Sequence, residues 1–236
     1  MTEQTTYYTS MMPKMMRGFE TMFRSAKKPL SSRMTPEQVD DVHQESREKY
    51  EGMIPQLPYI GGKKVSATGN VVGAAQVLSI ALILEKKGMA EREIGQVMYD
   101  TMVACYDRIP KRLGSLIGKM MLSKRSLNKM RKSAMESQKR KYPEGFVSEV
   151  VSCEGTGFDY GYDYHECGVH KFYKAQGALK YLPYMCLSDY PMFKRLGIGF
   201  YRDKTIANGS GICTFRIKRK GQTPVAWPPE NLKEWR

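Results

Sequence analysis

No two cysteines in this chain are spaced as a Cys-x-x-Cys pair, and the five present are an odd number, so the framework of a disulfide-stapled domain is missing. Thiols kept reduced point to a cytoplasmic protein. A secretory signal is lacking too. Met1 to Lys28 is methionine-rich but broken by Pro13, Lys14 and Arg17, and is expected to form an extended arm or a leading helix. No apolar run reaches the roughly 20 residues that span a bilayer. The strongest, Val71 to Leu84, carries Gln76 and Ser79, stops at Glu85-Lys86-Lys87, and reads as a buried helix. There is no internal repeat, and no zinc-finger, helix-turn-helix or aromatic-stacking signature of a nucleic-acid reader.

Acidic residues are scarce as well, with 24 Asp and Glu against 38 Lys and Arg, a net charge of +14 and a pI near 9.5. Such a balance attracts anions without deciding fold. The excess is concentrated between Lys111 and Lys141, where eleven basic residues face one acid, Glu136. Leu113, Leu116, Ile117, Met120, Met121, Leu127 and Met130 recur there at spacings of three and four. That pattern predicts an amphipathic helix with a basic outer face. A solvated helix explains it, and neither a nucleic acid nor a membrane is favoured as its partner.

At 236 residues the chain suits one large domain, or one domain with a helical extension. Thr35-Pro36-Glu37-Gln38 has the spacing of a capping box and starts a helix expected to run to Gly52. Helices over 70–87 and 90–108 follow. Beyond Pro143-Glu144-Gly145 the pattern changes. Phe146 to Cys153 is β-rich, and Ile198–Ile206 and Ile212–Lys218 read as a hairpin joined by Asn208-Gly209-Ser210-Gly211. Helical segments are expected over 164–176 and 178–196, the second broken into shorter pieces by Pro183 and Pro191. The fold class is therefore α+β, a helical N-terminal half followed by a compact C-terminal part of antiparallel strands and two helices. The divisions expected are 1–34 as an arm or helix, 35–142 as a helical region, 143–220 as the cysteine-containing α+β region carrying the site, and 221–236 as a tail.

Three of the five cysteines lie in that third region: Cys167, Cys186 and Cys213. A helix beginning at Glu166-Cys167 would stabilise a thiolate at Cys167 through its free N–H groups. His170, one turn on, is a candidate base or co-ligand, or a plain surface residue. Cys186 and Asp189, three apart, share a helix face. Three readings remain open: a zinc site using Cys167, Cys186 and Cys213, a thiol–carboxylate catalytic site, or structural burial. Arg202 and Arg216, on paired strands, are candidates to clamp a carboxylate.

Gly161-Tyr162-Asp163 with Glu166-Cys167, the Gly177-Ala178 step, Pro183, Cys186-x-x-Asp189, and Arg202-x-x-Thr205 through Gly209 to Cys213-x-Phe215-Arg216 resemble the L-2-amino-thiazoline-4-carboxylic acid hydrolase family over roughly 149–218. The resemblance implies hydrolytic opening of a small carboxylate-bearing heterocycle or amide at a C–N or C–S bond. Asp163, Glu166, Cys167 and Asp189 are the candidate catalytic residues, with Tyr164, Arg202 and Arg216 binding substrate. The order of the three cysteines is also similar to four-vinyl-reductase-type ligand-binding domains, in which cysteines hold zinc. That implies a zinc cofactor and keeps a non-enzymatic sensor module as the alternative. His165 and His170 lie outside the family pattern. The expected partner is a small-molecule substrate bearing a carboxylate, with a homo-oligomer left open.

Overall fold

The computed structural model describes residues 3–235, with side chains from Tyr7 onward. The chain folds into two compact units, one from Met1–Cys105 with Lys171–Met185, the other from Tyr106–His170 with Cys186–Arg236.

The first unit is helical. Helix α1 (Glu3–Ser31) is the leading helix, and α2 (Pro36–Met53) opens on the expected capping box, with the Thr35 side chain and Gln38 each bonding the other's backbone N–H. Helix α3 (Thr68–Lys86) is apolar on nearly every side and is buried accordingly, from Val71 to Leu84. It is the one helix among the described residues long and apolar enough to cross a membrane, and 67% of that apolar window is buried as core. Helix α4 (Glu91–Asp107) carries the predicted stripe of Ile94, Val97, Met98 and Met102, all buried. Tyr173 returns to this unit and donates to the Ala74 carbonyl at 3.1 Å.

The second unit holds a four-stranded antiparallel sheet made of β1 (Val147–Val151), β2 (Tyr160–Glu166), β3 (Ile198–Tyr201) and β4 (Cys213–Arg219), in the order β1-β2-β4-β3. The molecule is therefore α+β. Strand β2 replaces the start of the helix expected over 164–176. Only Gly168–Ala175 is helical there (α7), because tyrosines at every second position from 160 to 164 form one face of a strand. The segment over 178–196, expected in shorter helical pieces, forms a 3₁₀ turn (Leu179–Tyr181), α8 (Leu182–Cys186) and α9 (Asp189–Leu196). Helix α9 ends at Gly197, whose φ of 66° a side chain would resist.

The basic segment is two helices, α5 (Lys111–Met121) and α6 (Lys124–Ser137), with Ser123 capping the second. Its polarity departs from expectation. Gly114 and Gly118 face inward, and Leu113, Leu116, Ile117 and Met120 are exposed. A Cβ on either glycine would meet the backbone oxygen of Arg195 at 2.4 Å or of Leu196 at 2.2 Å, so close approach to α9, rather than apolar burial, orients α5.

Candidate functional site

Register on the sheet sorts the candidate residues. Tyr162 pairs with Phe215, Tyr164 with Cys213, and Tyr160 with Ile217, so these six share one face. Gly161 pairs with Arg216 and Asp163 with Thr214, which places Asp163 and Arg216 on the other face. There the Arg216 guanidinium binds Asp163, with Nη1 to Oδ1 at 2.5 Å and Nη2 to Oδ2 at 3.4 Å. Arg202 follows β3 beyond Phe200 and lies on the cysteine face, 5.1 Å from the Phe215 ring and 5.3 Å from the Phe200 ring. The two arginines thus stand on opposite faces. The expected clamp of a substrate carboxylate by Arg202 and Arg216 is not formed, because a one-residue offset along a strand turns a side chain over.

Arg202 is the organising charge of the cysteine face. Its side chain is 1% exposed. Nη1 donates to Asp189 Oδ2 at 2.6 Å, Nη2 donates to Glu234 Oε1 at 2.9 Å and to the Cys186 carbonyl at 2.8 Å, and Nε donates to Glu234 Oε2. Four of five N–H groups are committed, which leaves no fork for a substrate. Burial works against the Arg202 charge, but Glu234 and Asp189 outweigh it and hold its pKa well above the usual value. Burial raises Glu234 and Asp189 too, with Arg202 opposing in each case. Glu234 receives two N–H groups from Arg202 and the hydroxyl of Tyr190, whereas Asp189 receives one N–H. Asp189 is therefore the less heavily hydrogen-bonded of the two carboxylates.

Asp189 keeps 27% of its side chain accessible, and burial dominates its proton affinity. Its Oδ1 takes no hydrogen bond from the described residues. Tyr162 and Tyr164 are also half-buried on this face, with hydroxyls that have no partner among the described residues, and burial raises both. Asp189, Tyr162 and Tyr164 together offer one carboxylate and two phenols to a small polar ligand.

The three thiols are electrostatic neighbours on this face. Cys186 feels the charge of both Cys213 and Cys167, and Cys213 that of Cys167. Cys153 lies apart, where a Cβ on Gly161 would touch its sulfur. Cys167 caps α7, and its sulfur accepts the backbone N–H groups of His170 and Val169. Those bonds favour a thiolate, yet burial wins and the Cys167 pKa goes up, contrary to the lowered value expected at a helix start. Burial pushes Cys213 up to about 11 and Cys186 well above the ordinary thiol.

Among the described residues no group of three or more His, Cys, Asp or Glu side chains is arranged to hold a metal ion. The expected zinc set of Cys167, Cys186 and Cys213 does not fit. The Arg202 guanidinium lies among the thiols and would repel a cation, Asp189 Oδ2 is committed to that guanidinium, and Cys213 Sγ accepts the Ile206 N–H at 3.2 Å. Of the remaining candidates, Glu166 forms an ion pair with Arg140, and Asp163 is held by Arg216. His165 is 3.0 Å from Glu149. The structure brings together Asp189, Tyr164, Arg202 and the three thiols. Sequence reasoning missed Glu234, Tyr162 and Tyr190. The alternation of tyrosines through β2 was the signal for Tyr162, whereas nothing near Glu234 marks it.

In comparison with known proteins, a family model described as L-2-amino-thiazoline-4-carboxylic acid hydrolase matches residues 73–217, more than half of the chain. No curated protein and no solved structure matches it.

Proposed function

The chain belongs to the L-2-amino-thiazoline-4-carboxylic acid hydrolase family, and from that premise we propose that it hydrolyses a small carboxylate-bearing heterocycle or amide, with Asp189 moving the proton. The observation that carries this reading is an Asp189 that keeps about a quarter of its side chain accessible, is tied by one oxygen to a buried arginine and is raised in proton affinity by burial.

A general base works best when its pKa approaches the working pH and when a third group fixes its orientation. Burial moves Asp189 toward the first, and the second is met. Arg202 holds Asp189 Oδ2, Glu234 holds Arg202, and Oδ1 is left to bind water. Water adds to the sp² carbon of the ring as Asp189 takes its proton. The same proton then passes to the departing sulfur or nitrogen as the C–S or C–N bond breaks. The phenols of Tyr162 and Tyr164 can donate to the developing charge, since burial keeps them protonated. The thiols are neutral for the same reason and take no part in the proton transfer.

A sensor built on a metal-supported pocket is not favoured, since the donor arrangement for the metal is missing among the described residues. The test is to incubate the purified protein with 2-amino-thiazoline-4-carboxylate and follow new thiol with a chromogenic disulfide reagent after acid quenching. Time-dependent thiol release is expected from C–S opening, which leaves the carbamoyl group on nitrogen, and a new primary amine from opening at the ring C–N bond, which leaves it on sulfur. Unchanged substrate at high protein concentration would overturn the reading.

A further inference from the structure

Helix α5 carries its apolar residues on the wrong side for a core helix. Leu113, Leu116, Ile117 and Met120 follow the i, i+3, i+4, i+7 spacing and are 47%, 53%, 38% and 62% exposed. At about 100° per residue they occupy an arc of roughly 100°. Gly114 and Gly118 lie roughly 130° around the helix and rest on the backbone of Arg195 and Leu196, so the helix cannot roll to bury the stripe without losing that contact. Arg112 and Lys119 border the stripe, and α6 continues with Lys124, Arg125 and Lys129, all exposed. Across 111–141 the single acid, Glu136, is paired with Lys139 at 2.7 Å.

We infer that α5 is a docking face for an anionic lipid surface, on which the helix lies in the plane of the bilayer. The combination of features selects that occupant. An apolar stripe flanked by Lys and Arg matches the acyl boundary and the phosphate layer together, which is how interfacial helices bind. A nucleic acid would satisfy the basic residues but leave the four apolar side chains in water, and neither α5 nor α6 contains an aromatic ring on which bases could stack. A second copy would bring the same basic helices against one another in a chain of net charge +14. The protein would then be peripheral, held by one face.

The experiment is flotation of the full chain with phosphatidylcholine vesicles, with and without phosphatidylglycerol, at physiological ionic strength. Wild type is expected to float with the anionic vesicles and to stay in solution with the neutral ones. The double variant Leu116→Glu, Met120→Glu alters only exposed positions, so it should melt with wild type while its partitioning falls by about tenfold or more. Arg112→Gln, Lys119→Gln should weaken flotation in a salt-dependent way. Wild type that fails to float with anionic vesicles overturns the inference. So does flotation undiminished in the Leu116→Glu, Met120→Glu variant, since binding would then be by charge alone. Wild type that binds RNA or dimerises through this stripe while ignoring vesicles would overturn it in favour of those partners.

Discussion

Replacing Glu234 by Ala removes one end of an ion pair whose two side chains are each 1% exposed. The change takes two charge-assisted hydrogen bonds from Arg202 and the acceptor of the Tyr190 hydroxyl. Arg202 cannot discard its charge, and its guanidinium loses two acceptors at once. Breaking one side of a buried pair costs about 3–5 kcal/mol. Because Asp189 still answers part of the charge, the lower end is the expectation, and for a chain of this size a loss on this scale lowers Tm by about 6–20 °C. Glu234→Gln keeps the shape and one acceptor and should lose roughly half as much. Thermal unfolding followed by circular dichroism measures both. The pH profile of hydrolysis adds a readout that a purely structural role would not move. With Glu234 neutralised, Arg202 is shared with one carboxylate instead of two, so the Asp189 pKa should fall and the acid limb should shift to lower pH. A Glu234→Ala protein that melts within a degree or two of wild type, or a Glu234→Gln profile that does not move, would refute the reasoning that places this residue at the root of the site.

In wild type the acid limb of kcat/KM should lie above the ordinary aspartate value of about 4. Burial raises Asp189, a base must be deprotonated to act, and activity therefore rises with pH through the raised pKa. Arg216→Lys should leave KM unchanged, because that side chain is spent on Asp163 on the far face, and should cost only about 1 kcal/mol in urea unfolding. Gly118→Ala should destabilise by about 1–3 kcal/mol, since its Cβ would meet a backbone oxygen that cannot move aside, and a neutral result would mean that α5 is not seated against α9. Alkylation of Cys213 should be slow at neutral pH and accelerate toward its pKa of about 11, as mass spectrometry of the labelled peptide would read. Elemental analysis should find zinc well below one ion per chain, and a stoichiometric ion would contradict the account of the thiols.

Local rules carried the fold far. The Thr35 capping box, the buried α3 and the pairing of β3 with β4 are all written in adjacent residues. Strand β2 was misread as helix because the helix start at Cys167 was extended backward over tyrosines whose period of two marks a strand. The polarity of α5 was misread because periodicity counts apolar side chains, and the residues that set its orientation have none. That the three thiols lie near enough to feel one another's charge agrees with their shared place in the family motif. The separation of Arg202 from Arg216 was not, since it depends on strand register. Glu234 stands 32 residues from the arginine it anchors, in a segment with no periodic signal.

The most direct measurement is kcat/KM for ring opening by Asp189→Asn against wild type. The amide keeps the volume of the carboxylate and a hydrogen bond to Arg202 but cannot take a proton at neutral pH, and Glu234 still neutralises the arginine. The account predicts a loss of about 10²–10⁴-fold with melting close to that of wild type. Retention of a tenth or more of wild-type kcat/KM would contradict it and move the chemistry away from Asp189.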